Sequence, residues 1–131
     1  MLTLNKTSAA KLKGVHPDLI RVIRRVQQSW KHKDLGFIVT CGLRTPEEQK
    51  KLVRSGASRT MRSKHLRQKD GFSHAFDIAV TLNNKVVWDW PLYEKVSKNF
   101  LDAAKALGVK VTWGGSWKSF RDGPHYQLET S

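Results

Sequence analysis

A chain of 131 residues, 39% of them hydrophobic, is long enough for one domain with a true apolar core. Such a domain buries roughly two-thirds of the surface that its unfolded chain exposes, so it needs neither a disulfide nor a structural metal to fold. The single cysteine, Cys41, excludes an internal bridge and suits a reducing compartment. Lys and Arg number 24 against 11 acidic residues, a formal charge of +13 that points to anionic polymers as partners, whether nucleic acid or bacterial envelope polymers.

Met1 to Ala10 is polar and mixed, without the apolar run of a signal peptide, and no window reaches the length of a membrane span. Synthesis as a cytosolic, soluble chain is the expectation. Residues 1–15 read as a loosely held arm. A first helix begins at His16-Pro17-Asp18, where proline tolerates its missing N–H and aspartate suits the helix dipole. Leu19, Ile23, Val26 and Trp30 then form one apolar stripe. His16 and His32 flank this helix without any motif around them and read as surface residues.

The run Phe37-Ile38-Val39-Thr40-Cys41 is apolar and β-branched, hence a strand, with Cys41 expected as a small buried side chain. Gly42-Leu43-Arg44 turns the chain into a second helix. Thr45 caps it, Pro46 takes its first position and Glu48 completes a capping box, while Gly56 closes it after Arg54. Residues 55–71 are basic and glycine-punctuated, a loop of functional length. Ala75 to Val80 alternates as a strand, Asn83-Asn84 makes a turn and Lys85 to Trp88 returns. Pro91 opens a third helix with the stripe Leu92, Val96, Phe100, Ala103 and Leu107, and Gly108 ends it. Val109 to Trp113 is a strand, Gly114-Gly115 a turn, Ser116 to Arg121 a loop, and His125 to Leu128 a last short strand. The order predicts an α+β domain, with about three helices packed against a mostly antiparallel sheet.

Three side chains stand out against this frame. Asp77 lies in the middle of an apolar strand, where a carboxylate costs several kcal/mol to desolvate unless it is paired or holds a metal. Its neighbours on the same face, Ala75 and Ala79, leave room for an approach. His65, after Ser63-Lys64, and His125, at the head of an alternating strand, supply two imidazoles. Together the three could hold zinc and leave a fourth position for water, with Asp122 as the base. Each has an ordinary alternative when taken singly: a hydrogen-bonded or surface histidine, a paired aspartate. Arg44, on position alone, reads as a solvated surface charge.

The pattern Ser63-x-His65, Ala75-x-Asp77 and Asp122-x-x-His125 resembles the signature of the zinc peptidases that include bacterial D-Ala-D-Ala carboxypeptidases and dipeptidases. Within that group it is most similar to phage endolysins that act as L-alanyl-D-glutamate peptidases. The likeness runs from about Arg44 to Leu128; Gly42-Leu43-Arg44-Thr45 resembles the family's glycine–arginine loop, and Trp113-Gly114-Gly115 its approach to the catalytic aspartate. The resemblance implies a Hedgehog/DD-peptidase-like fold, with one zinc ion per chain on His65, Asp77 and His125. It also implies that Asp122 is the general base and that Arg44 holds a substrate carboxylate or the developing oxyanion. Two departures stand out. About five extra residues lie between His65 and Asp77, with Ser73 in place of a glycine and His74 as a rival donor, and Ser116 stands where relatives often carry aspartate.

The implied function is zinc-dependent hydrolysis of the L-alanyl-D-glutamate bond of peptidoglycan stem peptides, causing host lysis. The implied setting is a single monomeric domain, residues 1–131, with no separate wall-binding module. It would wait in the host cytoplasm for holin-dependent release to the cell wall, and its basic surface would meet anionic envelope polymers. A carboxypeptidase trimming D-Ala-D-Ala ends is the rival within the family. A basic nucleic-acid-binding protein is the rival from another class, encouraged only by aromatic–basic interleaving in residues 113–121 and lacking any recognisable reading motif. No specific nucleic-acid partner is therefore expected.

Overall fold

In the computed structural model, which describes residues 1–58 and 60–129, the elements run α1 (Lys6–Lys11), α2 (Pro17–Ser29), β1 (Leu35–Cys41), α3 (Pro46–Arg54), β2 (Ala75–Leu82), β3 (Lys85–Val87), α4 (Trp90–Leu107), β4 (Val111–Trp113), a 3-10 turn at Gly114–Ser116, and β5 (His125–Leu128). All strand pairs are antiparallel, in the order β1-β2-β5-β4. β5 pairs with the first half of β2, and β3 pairs with its second half. This is the α+β architecture expected from the element order, with one helix more than anticipated.

The additional helix is α1, within the segment expected to be a loosely held arm. Asn5 caps it by accepting the Ser8 N–H at 2.8 Å. Ser8 is buried, and its hydroxyl oxygen accepts the Val39 N–H at 3.0 Å, so the helix covers part of the exposed edge of β1. Leu12 and Val15 follow it into the core. Leu2 and Leu4 pack against the core from before the helix; with the apolar contacts at its two ends and none in a helical period, sequence patterning overlooks this segment.

Local signals account for the other elements. His16 caps α2 through its ring, with Pro17 in the first turn. Thr45 and Glu48 form both halves of the capping box on α3. Asn83 and Asn84 both take positive φ (51° and 66°), the conformation that a tight β2–β3 hairpin requires. Gly108 caps α4 in the left-handed region. Strand β4 starts at Val111, two residues later than the apolar run suggests, because the chain is still leaving the helix at Val109, whose N–H bonds back to Ala104.

Helices α2 and α4 pack together over one face of the sheet. Phe100 on α4 is the centre of that contact, with ring centroids 5.0 Å from Phe37 on β1, 5.7 Å from Phe76 on β2 and 4.6 Å from Tyr126 on β5. Phe76, Ile78 and Val80 point into this core as the alternation predicts. The opposite face of the same strand carries Asp77 between Ala75 and Ala79, both of which are buried.

Candidate active site

The sheet itself sets the centre of the site. Antiparallel pairing puts Asp77 directly opposite His125 on β5 and opposite Cys41 on β1. His65 arrives from the loop after α3. Its N–H donates to the Ser63 hydroxyl at 3.1 Å, and its carbonyl accepts the Arg44 N–H at 2.8 Å, which ties the loop to the β1–α3 turn. On its other side the turn lies against the end of α1, an approach that requires glycine at residue 42, because a Cβ there would collide with the Lys11 carbonyl oxygen.

Both imidazoles address the same carboxylate oxygen. His65 Nε2 lies 3.1 Å and His125 Nδ1 3.0 Å from Asp77 Oδ1. The remaining ring nitrogens are committed elsewhere. His65 Nδ1–H donates to the Gly42 carbonyl at 2.9 Å, and His125 Nε2–H donates to Gln127 Oε1 at 2.8 Å. These partners turn one nitrogen of each ring toward Asp77, where only a proton or a metal ion can reconcile it with the carboxylate. Each imidazole nitrogen thus stands 3.0–3.1 Å from the carboxylate oxygen, near the separation of about 3.3 Å between ligands of a tetrahedral zinc ion. The donors fall into two groups that share Asp77, Cys41–His65–Asp77 and Asp77–Asp122–His125, each with ligating atoms within 4.8 Å of one another; imidazole and carboxylate donors of this kind suit zinc.

The charges respond to this crowding. Burial opposes a proton on His65, but hydrogen bonds to Asp77 and Cys41 prevail and raise its pKa to about 10. Burial likewise opposes ionisation of Asp77, yet hydrogen bonds from His125 and His65 hold its carboxyl well below the usual range. Asp122 shifts the other way: burial, then the Asp77 charge, raises it.

Asp122 reaches the site through a tight frame. Its N–H donates to the Gly114 carbonyl at 3.1 Å, its own carbonyl accepts the His125 N–H at 3.1 Å, and Trp113 Nε1–H donates to the Gly123 carbonyl at 2.7 Å. A Cβ at Gly114 would collide with the Asp122 carbonyl oxygen, so the Gly-Gly step is a close-approach requirement. Ligating atoms of Asp77, Asp122 and His125 lie within 4.8 Å of one another. Ser116 closes the preceding turn, its hydroxyl donating to the Trp113 carbonyl at 2.7 Å.

Arg44 is not the solvated charge that position alone suggested. Its side chain is 13% exposed, with Nη2 4.0 Å from Asp77 Oδ2 and Nη1 donating to Gln49 Oε1. Gln49 is fully buried and also donates to the Ser58 hydroxyl and the Thr60 carbonyl. Gln49 and Gln127 carry no motif along the chain; their only signals are a polar residue on the inner face of α3 and an amide two residues after a candidate ligand. Cys41 also differs from expectation. It is half-buried, its sulfur lies 3.6 Å from His65 Nδ1 and it receives Arg44 Nη2 at 3.4 Å. Burial raises its pKa, but His65 and Arg44 outweigh that and lower it.

The extra residues between His65 and Asp77 form a small loop, closed by Gln68 N–H to the Phe72 carbonyl and by pairing of Arg67 with Ser73. His74 does not join the Asp77 group; its Nε2–H donates to Asp70 at 2.7 Å. The site opens into a cleft of about 540 Å³. Arg44, Arg62, Lys64, Trp117 and Phe120 are on its walls, and the Trp117 ring lies 5.3 Å from that of His125.

Two imidazoles and a carboxylate on a rigid sheet, beside a second carboxylate and an arginine in an open cleft, make a constellation suited to metal-assisted hydrolysis. The chain belongs to the phage L-alanyl-D-glutamate peptidase family, which it matches over residues 1–129. It is 42% identical over 87 residues to the L-alanyl-D-glutamate peptidase of Listeria phage A118, covering 66% of this chain but only 28% of that protein. It is 30% identical over 121 residues to the L-alanyl-D-glutamate peptidase of Escherichia phage T5, covering 89% of this chain and 82% of that one. Among solved structures it is similar to the Serratia marcescens L-Ala D-Glu endopeptidase ChiX, with a TM-score of 0.82 and 38% identity over 97% of this chain and 90% of that one.

Proposed function

We propose that this chain is a zinc-dependent peptidoglycan endopeptidase that hydrolyses the L-alanyl-D-glutamate bond of stem peptides, and that a phage uses it to lyse its host. The observation that carries the reading is the convergence of His65 Nε2 and His125 Nδ1 on one oxygen of Asp77, with both rings oriented by partners behind them. Membership of the L-alanyl-D-glutamate peptidase family and the likeness to its phage relatives support the bond; the donor set supports the metal.

His65, Asp77 and His125 would hold the ion. Zinc bound there supplies Lewis acidity and lowers the pKa of its water from about 15.7 to about 7. Asp122, made more basic by burial and by the neighbouring Asp77 charge, takes the proton from the attacking water and passes it to the leaving amine. Arg44, held from behind by Gln49, offers guanidinium donors to a substrate carboxylate or to the oxyanion. The stem peptide carries such a carboxylate on its glutamate. Arg62 and Lys64 add positive charge to the cleft wall, and the net charge of +13 favours approach to an anionic envelope. The chain acts as a monomer on the cell wall, released from the cytoplasm through a holin-dependent membrane lesion.

The test is mass spectrometry of fragments released from purified peptidoglycan, with and without chelator, by the native chain and by Asp122→Ala. New N-terminal D-glutamate, lost on chelation and lost in the variant while its zinc content is unchanged, is the expected result. Free D-alanine instead would identify a carboxypeptidase, and lysis by Asp122→Ala would remove that residue from its role as base.

A further inference from the structure

A second group of metal-type donors lies outside the cleft. We propose that His16, Asp70 and His74 form a second zinc-type site, which pins the loop between His65 and Asp77 to the head of α2. Their ligating atoms all lie within 4.8 Å of one another. Asp70 Oδ2 is 2.7 Å from His74 Nε2 and 3.5 Å from His16 Nε2, and the two imidazoles stand edge to face with centroids 5.2 Å apart. These spacings bracket the separation of about 3.3 Å between ligands of a tetrahedral zinc ion. Two imidazoles and one carboxylate are a borderline-soft set that suits zinc, cobalt or nickel rather than calcium or magnesium.

The backbone assembles the group independently of any ion. His16 N–H donates to the Ser73 carbonyl at 2.9 Å, and Ser73 N–H donates to the Gly14 carbonyl at 2.8 Å. Phe72 N–H takes the other oxygen of Asp70, Oδ1, at 3.1 Å, which leaves Oδ2 to both rings. The Phe72 ring closes on His16 at 5.7 Å, and both histidine side chains are only 23% exposed. His74 is still held to the sheet, its carbonyl accepting the Leu128 N–H at 2.9 Å, while its ring joins Asp70 instead of Asp77. His16, expected as an idle surface residue, is thus at the junction of three segments.

One feature of the group sets its order of filling. His16 Nδ1 accepts the Asp18 N–H at 3.0 Å as the cap of α2, so Nε2 carries the proton. Loading a metal at Nε2 moves that proton to Nδ1, which then faces the Asp18 carboxylate, 4.0 Å away, and gives up the amide. The second site therefore competes with a helix cap and fills at higher free zinc than the Asp77 site.

Equilibrium dialysis of the metal-free chain against rising zinc, with metal analysis and thermal melts, tests this directly. The native chain is expected to take one equivalent at low free zinc and a second at higher free zinc, with a further rise in melting temperature at the second step. His74→Gln and Asp70→Asn should each lose the second equivalent and its melting shift while keeping the first. His16→Asn separates metal binding from capping, because asparagine retains the cap but has no ring nitrogen; it should melt like the native chain without metal and still lose the second equivalent. His125→Ala should keep the second equivalent and lose the first. Saturation of the native chain at one equivalent, or a second equivalent that survives both His74→Gln and Asp70→Asn, overturns the proposal without touching the peptidase reading.

Discussion

Asp77 and His125 are direct cross-strand partners on β2 and β5, and the imidazole meets the carboxylate at 3.0 Å. Since Cys41 pairs with Asp77 from the other side, a single row of the sheet carries the centre of the site. The ladder therefore keeps these donors in place, whereas His65 comes from the loop after α3.

Asp77→Asn keeps the shape of the side chain and removes its charge. Zinc affinity is expected to fall by more than about a hundredfold, beyond the ten- to hundredfold typical for loss of a supporting partner. Gln127→Leu, which releases the far side of His125, should fall within that smaller range and leave the fold unchanged. Competition with a zinc chelator measures both.

The pH dependence of the metal-free chain follows from two opposed shifts. His65 is raised from 6.5 to about 10, so its contribution to stability is full below pH 6.5 and is lost as pH rises toward 10. Asp77 is lowered from 3.8, so its contribution is present above that pH and is lost as pH falls below it. The melting temperature should decline between pH 6.5 and 10, and Asp77→Ala should flatten that decline. At pH 7.5, loading zinc on the Asp77 site displaces the His65 proton, so calorimetry at low free zinc in buffers of differing ionisation heat should register release of about one proton from this residue.

Gln49→Leu leaves Arg44, Ser58 and Thr60 without the amide that joins them. The expected loss of stability is about 1–3 kcal/mol. If Gln49 serves to orient Arg44, kcat/KM on stem-peptide substrate should fall at least tenfold at a temperature where the variant is fully folded. A purely structural role would leave kcat/KM of the folded fraction unchanged.

Gly114→Ala forces a methyl group against the Asp122 carbonyl. Overpacking of this kind costs about 1–3 kcal/mol. Wall lysis should fall more steeply than stability, because the methyl group also crowds the Cβ atoms of Asp122, the proposed base, and of His125, a proposed ligand. An active Gly114→Ala enzyme would show that Asp122 tolerates displacement.

Much of this site is readable along the chain because its parts obey local rules. Asp77 stands out as a charge in an apolar strand, the Thr45–Glu48 box marks where α3 starts and so where Arg44 sits, and the short step from Asp122 to His125 keeps those two together. Other parts are illegible for an equally physical reason. Gln49 lies 0% exposed and Gln127 sits behind His125, yet an amide has no periodicity or charge to betray what it faces. Segment 1–15 lacks an apolar stripe, so its packing on β1 could not be anticipated.

The sequence by itself determined the order of strands and helices from α2 onward, most of the caps and turns that delimit them, and the kinds of donor available, since these depend on neighbours a few residues apart. Only the tertiary structure decided which donors meet. It gave His65 to Asp77 and His74 to Asp70, although both histidines lie near the same aspartates along the chain. The reason is the strand ladder and the loop that precedes it: pairing with β5 fixes which way Asp77 points, and the bond between Ser73 and Gly14 carries the loop, with His74, toward α2.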